Sequence, residues 1–175
     1  MRSKLARCLA RLFPAGWPWQ TTVEVTLCAL LVSWCSAVLG FLIHFDEAKI
    51  PLYISLSQHF LDRSTPIAPI APFAMIFGRG LLGFLIVALC LVLLPLFHYL
   101  WHWQGSKSIY LMRRLPRRGE LWRRCLAGPA VLLALTLLAA ALAVLLCILL
   151  YQTLTPAGHL PENPWEGIGG ILCWF

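Results

Sequence analysis

The sequence predicts an all-α integral membrane protein: three transmembrane helices, N-terminus inside and C-terminus outside, plus short interfacial amphipathic helices. Three observations predict it. Hydrophobic residues make up 60% of the 175-residue chain and charged residues only 12%, about half the ~25% charged content of a soluble domain. Leu, Ala, Val and Ile gather into three runs, each near the ~20 residues that cross the hydrocarbon. The basic residues gather too, in blocks at 2–11 and 107–124 that each adjoin an apolar run, as membrane topology requires. The net charge of +7 therefore belongs to topology. No RNA- or DNA-binding motif accompanies it, and no nucleic-acid partner is expected.

Residues 1–19 begin "MRSKLARCLARLF", in which Leu5, Cys8, Leu9 and Leu12 share one helix face while Lys4, Arg7 and Arg11 share another. This predicts a basic amphipathic helix in the interface, ended by "PAGWPW". The first span follows at 25–45, with no charge in "VTLCALLVSWCSAVLGFLIH". Its apolar stretch exceeds the ~7–15 residues of a signal-peptide core and lacks a small-x-small cleavage site, so it reads as an uncleaved anchor. Residues 46–78 are expected as an external loop. Within it, Ile50, Leu52, Ile54 and Leu56 suit a strand, while Leu52, Leu56 and Phe60 equally suit a helix. Pro66, Pro69 and Pro72 suggest a polyproline-II segment, which must lie at the headgroups or be covered by protein.

The second span is placed at 79–101 and the third at 126–155, joined by a basic cytoplasmic loop at 102–125 that carries seven Lys and Arg residues. The 156–175 tail carries none, only Glu162 and Glu166, and is expected outside. Trp17, Trp19, Trp101, Trp103 and Trp122 then fall at the inner headgroup level, where aromatic rings collect. Small residues at short spacing, Gly80 with Gly83, Ala130 with Ala134 and Ala139 with Ala143, are the candidate helix-packing positions.

Candidate chemistry is sparse. His98 and His102 stand four apart on one helix face, but two ligands without an acid or thiol beside them do not make a metal site, and both read as interfacial histidines. Glu24 and Arg79 lie at span ends, where long side chains reach water. Of the seven cysteines, Cys28, Cys35, Cys90 and Cys147 lie within spans as small hydrophobes, and no CxxC occurs. No cofactor is implied, and no nucleophile, paired acids or metal set supports an enzyme. A three-span chain with no charge near the middle of any span is a subunit rather than a self-contained transporter.

The informative segment is the loop, "SKSIYLMRRLPRRGELWRRCL". Lys107 to Leu115 can form a short helix with Ile109, Leu111, Met112 and Leu115 along one side and Arg113 and Arg114 off it. Pro116 ends that helix, "LPRR" suits a type I turn, and Glu120 favours the start of a second helix. Lipid alone can account for the charge, since each Lys or Arg near an anionic surface contributes about 1 kcal/mol. On that reading Arg2, Lys4, Arg7, Arg11, Lys107, Arg123 and Arg124 contact anionic lipid. The helix–turn–helix plan goes further than a basic tether needs. It resembles the coupling helices of ABC transporter permeases, and the pattern is similar to small membrane proteins associated with ABC transporter clusters of Firmicutes.

The resemblance covers about 21 residues, and three spans are fewer than the five or six of a permease half. It implies a membrane subunit of an ABC-type transporter complex in the bacterial plasma membrane. Its partner, an ABC ATPase or another membrane subunit, would be met by Ile109, Tyr110, Leu111, Met112, Arg113, Arg114, Leu115, Arg117, Arg118 and Glu120. No Walker A motif is present, so the chain is not expected to be the ATPase. The alternative is a self-associating, homo-oligomeric membrane scaffold or anionic-lipid-binding protein with no transport role of its own.

Overall fold

The computed structural model describes residues 12–14, 17–63, 69–104, 120–155 and 163, with the side chains of 101–104, 120–122 and 124 outside that set. All secondary structure among the described residues is helical, and three of the helices are long and apolar enough to span a membrane. They are α1 (Trp19–Leu61), α3 (Leu82–Gln104) and α4 (Glu120–Leu154), with a short α2 (Phe73–Phe77) between the first two.

The helices start earlier and run further than apolar runs alone suggest. α1 begins at Trp19, where the Thr22 N–H donates to the Pro18 carbonyl and the Trp17 indole N–H donates to Thr22 Oγ1 at 2.8 Å. It then continues past the apolar run to Leu61, so residues 46–61, expected within an external loop, are helical. The helix survives Asp46, Glu47, Lys49 and Pro51 through small local contacts and a larger tertiary contribution. Lys49 Nζ reaches Asp46 one turn back at 3.1 Å and sits 4.4 Å from the Phe45 ring, while His44 Nδ1 meets Glu47 at 3.2 Å. These i,i+3 contacts are worth a few tenths of a kcal/mol each. The larger contribution is burial of Phe45 and Leu52, 1% and 3% exposed, against the ~3 kcal/mol that an interior proline costs. α4 likewise runs unbroken from Glu120 through Pro129, so the basic stub and the third span are one helix.

Packing divides into two compact units, residues 1–32 with 84–139 and residues 33–83 with 140–175. The core of the first is Phe13, Leu91 and Leu132, with Trp17, Trp19, Val23, Val87, Leu94 and Leu133 around it. The core of the second is aromatic. Phe73 stacks on Phe77 at 5.4 Å and meets Phe41 at 5.9 Å and Tyr151 edge-on at 5.8 Å. Ile70, Ile76 and Cys147 complete it.

That second core decides the fate of the proline segment. Pro66 lies outside the described residues, but Pro72 has φ −58° and ψ 148°, which are polyproline-II values. Its described end is held by the chain itself, since Ile70 is buried, Pro72 is half-buried and Tyr151 Oη donates to the Ala71 carbonyl at 3.1 Å, while Pro69 is exposed. Gly78 ends α2 at φ +48°, a conformation open to glycine, and its N–H donates to Ala74.

Candidate functional site

No catalytic constellation emerges from the described residues. No three His, Cys, Asp or Glu side chains among them come together, and the described thiols are free, with Cys28, Cys35 and Cys90 exposed and Cys125 and Cys147 buried. The partner contact was expected in the loop joining spans 2 and 3, and Ile109, Tyr110, Leu111, Met112, Arg113, Arg114, Leu115, Arg117, Arg118 and Lys107 lie outside the described residues. So do Arg2, Lys4, Arg7 and Arg11. Glu120 opens α4, Arg124 lies on it, and Arg123 is exposed to the surroundings.

What the structure does describe is the base on which that loop stands. His98 on α3 precedes it, Cys125 on α4 closes it, and His98 Nδ1 lies 3.3 Å from the Cys125 carbonyl oxygen. A carbonyl only accepts, so the imidazole carries its proton on Nδ1. The reason this carbonyl is open lies four residues on. In a regular helix it would accept the N–H of residue 129, but residue 129 is proline and has none. Pro129 thus leaves a buried acceptor, and His98 satisfies it from the neighbouring helix.

The tie is enclosed by the segment ahead of α1. Trp17 meets the His98 ring edge-on at 4.4 Å and Phe13 meets it at 6.1 Å, which leaves His98 fully buried. Phe13 can reach this place because Gly128 has no side chain: a Cβ there would stand 2.7 Å from the Phe13 ring. His98 is therefore buried within the chain rather than exposed at the span end; Phe13 and Trp17 fold over it and exclude solvent. His102 lies on α3 with its side chain outside the described set. The sequence held one usable signal for this site, the Pro129 that must free the carbonyl of residue 125.

The helix-packing positions are sorted by burial. Gly83 seats Ser33, whose Oγ would lie 2.8 Å from an added Cβ, and Gly80 lies under the Phe77 ring at a similar distance, 2.8 Å. Ala143 is fully buried and Ala139 half-buried, whereas Ala130 and Ala134 are exposed. Hydroxyls within the helices close on their own backbone, Thr26 on Thr22 at 2.8 Å and Thr136 on Leu132 at 2.9 Å. Glu24 and Arg79 are both exposed.

In the second unit, a shallow cleft of about 340 Å³ is lined by His44, Glu47, Ala48, Ala71, Met75, Ile76 and Gly78. Its His44–Glu47 pair is well exposed on both sides, 58% and 66%, and its remaining lining offers no nucleophile. Comparison with known families, curated proteins and solved structures finds no match.

Proposed function

We propose that the chain is a membrane subunit of an ABC-type transporter complex in the bacterial plasma membrane. Its N-terminus and basic loop face the cytoplasm, its C-terminus faces outward, and the loop contacts an ATPase or permease partner. One residue at each end of the loop sets the case: the loop's sequence plan needs firm ends to present a face, and the His98–Cys125 hydrogen bond ties them. That tie, closed over by Phe13 and Trp17, is the observation that carries the reading. A lipid-binding tether needs only charge, because each basic residue gains its ~1 kcal/mol wherever it reaches the surface.

The test is purification of the tagged full chain from its own membranes in mild detergent. The reading expects an ATPase or permease to come with it, and Arg113, Arg114, Arg117 and Arg118 changed together to Gln to lose that partner. Recovery with neither partner sinks the proposal. A variant that keeps its partner but no longer binds anionic vesicles would make the loop a lipid contact instead.

A further inference from the structure

α1 is longer than a bilayer requires. Its 43 residues make about 65 Å of helix at ~1.5 Å per residue, against about 30 Å of hydrocarbon. The uncharged stretch ends after Ile43, and Asp46, Glu47 and Lys49 follow within two turns. Charged side chains settle at the headgroups, so the helix leaves the membrane at about Asp46. From there to Leu61 it continues for about 24 Å. A span tilt of ~20° and a bend of similar size at Pro51 still leave Leu61 about 18 Å above that level.

The projecting part carries an apolar seam. Ile50, Tyr53, Ile54, Phe60 and Leu61 are 55%, 63%, 53%, 83% and 90% exposed. With Ser57 they occupy an arc of about 120°, while buried Leu52 points the other way. Lipid accounts for exposed apolar residues below Asp46 and cannot account for these. The positions 50, 53, 57 and 60 alternate steps of three and four. The same alternation runs back through Ser36, Leu39, Ile43 and Asp46, all exposed; apolar Leu39, Ile43, Ile50, Tyr53 and Phe60 fill five of these eight places, and three–four alternation is the spacing of a left-handed helix pair.

We propose that a second copy of this chain fills the seam, the two α1 helices pairing in parallel along residues 36–60 and continuing as a short coiled coil beyond the membrane. Two copies inserted in one membrane share an orientation, so parallel pairing sets each seam residue beside its own counterpart without any register search. The five apolar side chains of the projecting part are each more than half exposed, which leaves several hundred Å² per copy to bury, against the ~800 Å² per partner of a standard interface. Asp46 would face its counterpart at the headgroup level, where Lys49, 3.1 Å away on the same helix, offsets the like charge. The pairing rests on the membrane placement of α1 and is independent of any ATPase contact.

The test places the photo-crosslinker p-benzoylphenylalanine at Tyr53, and separately at Gln58 as an exposed position off the seam, in the full chain in native membranes. Irradiation of the Tyr53 protein is expected to give a species of twice the 19.6 kDa chain mass, with at least tenfold less from Gln58. Adding Phe60→Asp, at a helix-end position 83% exposed and so harmless to the fold, should remove most of that dimer while membrane-inserted protein stays at the same level. Crosslinks from Tyr53 only to lipid or to another protein would overturn the proposal. So would equal dimer yield at both positions, which is the signature of random collision.

Discussion

Replacing His98 by Leu removes the donor that the Cys125 carbonyl depends on. Cys125 is 3% exposed, so water cannot take over, and an acceptor left unsatisfied in such a place costs about 1–3 kcal/mol. The structure also supplies a rescue. Pro129→Ala restores a backbone N–H at the position whose helical partner is residue 125, giving the carbonyl a second source of a hydrogen bond. Alone, Pro129→Ala should stabilise α4, by up to about 3 kcal/mol in helix propensity. In the His98→Leu background it should stabilise by that amount and about 1–2 kcal/mol more, because it also repays the lost bond. The assay is a double-mutant cycle in detergent micelles, reading unfolding free energies from SDS titration followed by circular dichroism. Effects that add within about 0.5 kcal/mol would refute the linkage between Pro129, Cys125 and His98.

Four further outcomes follow from the second unit. Tyr151→Phe keeps the ring against Phe45 and Phe73 but removes the bond to Ala71; a loss of about 1 kcal/mol should speed amide exchange across residues 73–78 about fivefold while the α4 amides stay unchanged. Gly83→Leu drives a side chain into Ser33 and should destabilise by about 1–3 kcal/mol. Gly40→Ala meets nothing within 4 Å and should stabilise by up to about 1 kcal/mol, both read by the same SDS titration. Gly78→Ala forces a side chain into positive φ, costing about 1–2 kcal/mol, and should also loosen exchange of the α2 amides, an effect that a merely exposed glycine would not produce.

The three spans were readable because about 20 uncharged apolar residues in a row admit few other structures. The reach of α1 beyond its apolar run was not. Three charges and a proline at 46–51 look like a boundary, and the helix continues only because Phe45 and Leu52 find tertiary partners that no local pattern announces. Helix and strand fit residues 50–60 equally well in sequence for the same reason. The burial of His98 was hidden differently, since it depends on Phe13 and Trp17 arriving from a segment about 80 residues away. Ala130–Ala134 and Ala139–Ala143 have the same spacing, yet one pair is exposed and the other turns inward, because spacing gives a shared face without saying which way it points. The loop at 102–125 is where sequence reasoning about function had most to say, and the tie at its base joins Cys125 to His98, which lies outside that motif.

Assembly is the property on which every functional statement here depends, and native mass spectrometry of the chain extracted with its surrounding lipid reads it directly. The predicted particle holds two copies of the 19.6 kDa chain together with an ATPase or permease subunit. A particle containing a single 19.6 kDa chain and lipid alone would contradict it.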